Sequence, residues 1–163
     1  MPEVSIDIEG MEVALRKLAG FGPGMGKEVS QAIGQGLLLI ANVAKKGAPV
    51  DRGQYRASIG ATGRLGIREV KTLGAEIIGR VGTKVKYAPY IEFGRRPGKM
   101  PPVSVIEEWA KRHHMAGMGF VIARAIGRRG IKAKHVLENA AKSQANTVYR
   151  MISQAVERAA KKF

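Results

Sequence analysis

Glu92 is the carboxylate whose surroundings most invite chemistry. It lies in the run Tyr87-Ala88-Pro89-Tyr90-Ile91-Glu92-Phe93, and a carboxyl group among aromatic rings can be tuned as a proton-transferring acid. The same setting suits a structural ion-pair partner, and the sequence offers Arg56 and Arg95 for that role. We adopt the structural reading, because no acid–base pair is obvious beside it. The serines at 5, 30, 58, 104, 143 and 153 sit in no Gly-x-Ser-x-Gly elbow. His113 and His114 are adjacent, so on a helix their side chains diverge by about 100° and cannot share one metal. His135 belongs to another segment, and the aspartates are only Asp7 and Asp51, so no recognised ligand spacing arises. The histidines read instead as solvent-facing or interface residues near a helix end.

Gly22-Pro23-Gly24-Met25-Gly26-Lys27 has the composition of a phosphate-binding loop but not its spacing. That motif requires glycine where Phe21 stands and Ser or Thr where Glu28 stands. The segment 20–26 therefore reads as a flexible hinge. With no cysteine, thiolate metal sites, cysteine nucleophiles and a disulfide framework are all excluded. We expect no catalytic residue, no metal and no cofactor.

Charge is the strongest bulk signal. The 163 residues carry a formal net charge of +15, and its spread is uneven. Arg95, Arg96, Lys99, Lys111, Arg112, Arg124, Arg128, Arg129, Lys132 and Lys134 face only Glu107 and Glu108 in the same stretch, a local net of +8. Such a field favours nucleic acid, acidic protein surfaces or anionic lipid without choosing among them. Aromatic residues are 6% of the chain and none interleaves with the basic run after Phe120, which argues against base stacking on single strands. The run 32–44 is too short to cross a bilayer and contains Gln35 and Asn42, and residues 1–10 lack the basic start and apolar stretch of a signal peptide. The expectation is a soluble protein without membrane contact.

The elements that must position these residues follow from periodicity. Val4, Ile6 and Ile8 alternate with Ser5, Asp7 and Glu9, as in a half-buried strand ended by Gly10. A short helix over 11–19 follows. Val29, Ile33, Leu37, Ile40 and Ala44 recur every three or four residues, which predicts a long amphipathic helix within 22–47. Gly34 and Gly36 weaken that helix by up to about 1 kcal/mol each, and close approach of another element accounts for them. Pro49 ends it and Asp51 and Gly53 make a turn. Three strands are predicted at 55–61, 65–72 and 75–83, the last two joined by a tight reversal at Gly74, and so short a connection implies antiparallel pairing. A loop at 95–102 precedes a helix from Pro102 or Val103, whose exposed face would pair Glu107 with Lys111 and Glu108 with Arg112. A second short helix is expected at 118–127. Leu137, Ala141, Val148, Ile152, Ala155 and Ala159 then stripe a final helix within 133–161. The expected architecture is a single α+β domain over 1–163. An antiparallel sheet of three or four strands within 55–83 and its neighbourhood packs against two long helices, with further short helices.

Three segments together resemble a known family. They are Ala48-Pro49-Val50-Asp51-Arg52-Gly53-Gln54-Tyr55-Arg56-Ala57-Ser58-Ile59, then Val81-Gly82-Thr83 through Tyr87 to Gly94, then Arg128-Arg129-Gly130-Ile131-Lys132-Ala133 with Leu137 and Ala140. Their order resembles the lambdoid siphophage family of tail components, the neck, tail-completion or head–tail joining proteins. The likeness spans roughly 25–145. In the third segment this chain has His135-Val136-Leu137 where the family usually carries Pro-Phe-Leu.

The resemblance implies a structural virion protein at the head–tail junction, assembled in the host cytoplasm, with no catalysis. It implies a ring of identical subunits joining the tail to the capsid connector, with genomic double-stranded DNA passing through. Partners would be further copies of the chain, the head-completion or connector proteins, and the tail terminator or tail tube. On that reading Asp51, Arg56, Tyr87, Tyr90, Glu92 and Phe93 form the subunit or partner interface, the aromatics being of the kind enriched there. Arg95, Arg96, Lys99, Arg124, Arg128, Arg129, Lys132 and Lys134 face DNA or acidic neighbours. The alternative is a stand-alone basic nucleic-acid-binding protein, whose affinity would fall steeply with salt.

Overall fold

In the computed structural model, which describes residues 4–7, 23–73 and 76–162, the elements run in the order β1 (Val4–Asp7), α1 (Pro23–Gly47), α2 (Gln54–Ser58), β2 (Gly66–Leu73), β3 (Glu76–Thr83), α3 (Ala88–Glu92), α4 (Val103–Arg112), α5 (Gly119–Arg129) and α6 (Val136–Ala160). The class is α+β. The helix expected at 11–19 and the reversal at Gly74 lie outside the described residues. So do residues 20–22 of the expected hinge. The rest of that hinge is corrected: Pro23, Gly24, Met25 and Gly26 open α1, where a proline loses no helical hydrogen bond.

β3 is the central strand of the sheet, ordered β1-β3-β2, and both pairings are antiparallel. The ladder with β2 runs from Gly66↔Thr83 to Leu73↔Glu76, and the shorter one with β1 from Val4↔Thr83 to Asp7↔Arg80. Ile77, Gly79 and Val81 alternate onto the buried face of β3. Gly79 lets α1 lie close, because a Cβ there would stand 2.5 Å from Ile33 Cγ2.

The core is built where α1 meets α6 and the sheet. Val29, Ile33, Leu37, Ile40 and Ala44 of α1 are buried together with Leu137, Val148, Ile152, Ala155 and Ala159 of α6. Full burial of one such large aliphatic side chain stabilises by about 1.5–3 kcal/mol, so this seam outweighs any single polar contact in the molecule. Lys162 reaches Glu28 at 2.6 Å, which places the end of α6 beside the start of α1 and makes the two antiparallel. Gly36 is the close-approach glycine, since an added Cβ would fall 2.8 Å from Val148 Cγ1. Gly34 is not, as its nearest neighbour would be Val70 Cγ2 at 3.9 Å, an ordinary contact.

One predicted strand is wrong. Residues 55–61 were expected to be extended, and α2 occupies Gln54–Ser58 instead. Tyr55, Ala57 and Ile59 alternate in the sequence, but Ala57 is exposed while Tyr55, Ser58 and Ile59 are buried. Burial at i, i+3 and i+4 is the helical period, and it overrides the apparent alternation. The sheet thus begins at Gly66 within this region, and Arg56 stands on the outer face of a helix rather than opening a strand. The last helix also begins later than 133, at Val136, because the backbone of 131, 134 and 135 is hydrogen-bonded to that of 91, 92 and 95.

Candidate functional site

The three sequence segments singled out above converge on one carboxyl group. Glu92, at the end of α3, is 2% exposed. The Tyr55 hydroxyl of the first segment donates to its Oε1. The Leu137 amide, at the start of α6 in the third segment, lies 3.2 Å from Oε1 and 3.2 Å from Oε2. A negative group at that helix end meets unpaired amides and the positive end of the helix dipole. Burial and the neighbouring Glu92 push the Tyr55 phenol well above its ordinary value, so Tyr55 keeps its proton and serves as a donor. The expected arginine partners are corrected. Arg56 points outward, and Glu92 is satisfied by a phenol and a backbone amide instead. It is buried in the fold and presents no surface to a partner.

Backbone contacts extend the same junction. Lys134 donates to the Ile91 carbonyl at 2.8 Å and His135 to that of Glu92 at 3.1 Å. Arg95 and Ile131 exchange two bonds of 2.8 Å each. Gly94 and Gly130, at φ 72° and 73°, permit this, for a Cβ on either would collide with backbone of the opposing strand. Ser58 and Thr83 share a 2.6 Å hydrogen bond that ties the first segment to the second.

α4 and α5 form a helical hairpin outside that core. Glu107 accepts the amides of Gly117 at 2.7 Å and Gly119 at 2.8 Å, and so caps α5 from α4. Those two bonds hold its carboxyl below the usual range. The exposed Glu107–Lys111 and Glu108–Arg112 pairs expected from spacing are replaced by tertiary ones. Arg112 clamps Asp51 with two hydrogen bonds of 2.8 Å, and Arg52 stands 4.0 Å from Glu108. The Arg112 hydrogen bonds, with help from His113 at 3.3 Å, hold the Asp51 carboxyl below its ordinary value. Asp51, expected at an interface with another subunit, instead fastens the hairpin to the turn after α1 through Arg112 and His113 of its own chain. His113 ends α4 and stacks on Trp109, with ring centroids 4.3 Å apart. His114 follows it, exposed, and His135 lies 2.9 Å from Glu138 at the start of α6.

Between hairpin and body runs an open groove with a volume of about 960 Å³. Tyr87, Tyr90, Val105, Ile106, Trp109 and Ile131 make its apolar walls. It is continuous with a second hollow of about 510 Å³ that ends at Asp51 and His113. Arg95, Lys99, Lys132 and Lys134 rim it, and among the described residues no carboxylate lines the larger part. Tyr87, Tyr90 and Phe93 are 41%, 53% and 66% exposed, although Ala88 and Glu92 between them are buried. Of the other basic residues, Arg96, Arg124, Arg128 and Arg129 are exposed, the last three along α5.

Sequence reasoning found Glu92 and the rim but missed the groove. Its signal was present as Val103, Ile106 and Trp109, spaced i, i+3, i+6 along α4, and was masked by reading that helix from its charges. Among the described residues no helix is long and apolar enough to cross a membrane.

Searches of curated proteins and of solved structures found no match. The model of the family described as "Bacteriophage HK97-gp10, putative tail-component" matches residues 11–94, which take in the first two of the three segments. The turn at Asp51, the Tyr55 donor and the Glu92 acceptor all fall inside that match, and the chain belongs to this phage tail-component family.

Proposed function

We propose that the chain is a non-enzymatic ring subunit of the phage neck, joining the tail to the capsid connector and leaving a passage for DNA. The observation that carries this reading is the exposed row Tyr87, Tyr90 and Phe93, borne on a helix whose other side is locked into the fold by Glu92. Rigid aromatics on a fixed backbone lose little entropy on docking, and such residues dominate protein interfaces. The carboxyl group that most resembled a catalytic acid has its oxygens taken by Tyr55 and Leu137, which supports architecture over turnover.

In a closed ring each subunit offers two different patches to its neighbours. Phe93, the most exposed of the row and no part of the groove wall, belongs to one such patch, and the cations along α5 face either the channel or acidic neighbouring rings. The family membership supports placement in the virion. The test is a phage lacking this gene, examined by electron microscopy. Heads and tails that accumulate unjoined, and rejoin when the purified protein is added, are the expected outcome. Normal virions without the chain would end the reading.

The basic surface also supports the stand-alone nucleic-acid-binding alternative, because Arg96, Arg124, Arg128 and Arg129 make no ion pair among the described residues. Binding to duplex DNA by the isolated chain at physiological salt, falling steeply as salt is raised, would favour it. Weak binding there, together with rejoining activity, favours the neck.

A further inference from the structure

We infer that the groove between the α4–α5 hairpin and the body is a docking site for an acid-flanked, apolar segment of a second protein. Val105 on its wall is 59% exposed and Tyr90 is 53%, so among the described residues the apolar surface is continuous and uncovered. Monomeric proteins seldom leave such patches open unless something binds there. Its volume of about 960 Å³ stands at the top of the range for small-molecule pockets and suits several side chains of a peptide.

Charge decides between occupants. Arg95, Lys99, Lys132 and Lys134 ring the opening, and none pairs with a carboxylate among the described residues. A second copy would bring its own +15 to that rim. A phosphate backbone would satisfy the cations and leave the apolar walls bare. A segment with apolar anchors at i, i+3 or i+4, and i+7, flanked by Asp or Glu, satisfies both features at once. The tail-component reading supplies only the source of that segment, a neighbouring protein of the particle. The groove itself does not depend on it.

Trp109 is the only tryptophan of the chain and lines the groove, so its fluorescence reports occupancy directly. The full-length protein is titrated with a synthetic tryptophan-free helix-forming peptide carrying Leu anchors and Glu flanks. Its twin has Lys for every Glu. We expect the Glu peptide to blue-shift Trp109 emission, and the Lys peptide to bind at least about tenfold more weakly, a difference of about 1.4 kcal/mol. Lys99→Glu with Lys134→Glu, both at exposed positions, leaves the rim with no net charge and should erase that preference. Val105→Asp should abolish the shift.

Equal responses to the two peptides, or none, would overturn the proposal. So would a blue shift on raising protein concentration alone, which would make the occupant a second copy, or displacement of the Glu peptide by duplex DNA. Rejoining of heads and tails tests the neck reading separately. A chain that restores virions but gives no peptide response loses only the groove, and one that binds the peptide but never enters particles loses only the neck.

Discussion

The Leu137 amide stands 3.2 Å from each carboxyl oxygen of Glu92, across 45 residues of sequence, so the longest C-terminal element starts on an acceptor from the middle of the chain. Tyr55 approaches the same group from the opposite side of the sequence. One buried acceptor thereby fixes the relative positions of α2, α3 and α6.

That arrangement sets the cost of removing either partner. Tyr55→Phe should destabilise the fold by about 1.5–3 kcal/mol, the usual scale for a hydrogen bond to a charged group. Glu92→Gln should cost a similar amount. For a chain of this size each kcal/mol lowers the melting midpoint by about 2–4 °C. The double variant should lose clearly less than the sum of the singles, since the two share one bond. Additive losses in urea melts would show that they do not act together.

The raised Tyr55 phenol predicts a specific alkaline response. In the unfolded chain a tyrosine loses its proton near pH 10, whereas in the fold Tyr55 holds it to a higher pH. Above about pH 10 the unfolded state therefore binds fewer protons, and stability falls as pH rises, with a limiting slope of about 1.4 kcal/mol per pH unit. The contribution is fully present below that point. Denaturant melts of the wild type and Tyr55→Phe across pH 9–11 should show the slope flattened in the variant.

The two helical glycines should separate. Gly36→Ala would press on Val148 and should cost about 1–3 kcal/mol, with Val148→Ala restoring part of the loss. Gly34→Ala meets only an ordinary contact and should be neutral or stabilising by up to about 1 kcal/mol. Equal effects at the two positions would contradict the α1–α6 seam described here.

Asp51→Asn should loosen the hairpin without melting the core. Arg112 and His113 lose their anchor, and Trp109 emission should shift red while the far-ultraviolet signal of the long helices stays. Because the Asp51 carboxyl is held below its ordinary value, its contribution is present above the unfolded value near pH 4 and is lost as pH falls through the folded one. The wild type should therefore show the same red shift on acidification, and the variant none.

These tests follow a division in what the sequence made legible. The stripes of α1 and α6 were readable because their apolar residues recur at a fixed interval and need no knowledge of the partner. The α2 segment misled, because Tyr55, Ala57 and Ile59 alternate, and only tertiary burial decides which of them turns inward. Glu92 stood out through its aromatic neighbours, yet its real partners lie 37 and 45 residues away and one is a backbone amide, which no side-chain pattern announces. Glu107 and Arg112 were assigned to each other's helical neighbours for the same reason. Local spacing predicts the available pair, and the fold supplied stronger acceptors and donors from elsewhere.

The hairpin of α4 and α5 contributes little to the α1–α6 seam, and its polar links to the rest of the chain include Arg112 on Asp51, Glu108 beside Arg52, and a bond between Gly98 and Gly127. Sequence changes within it can accordingly accumulate without endangering the molecule that carries it. Selection is thus free to re-address the arm to a different companion while the chassis stays as it is.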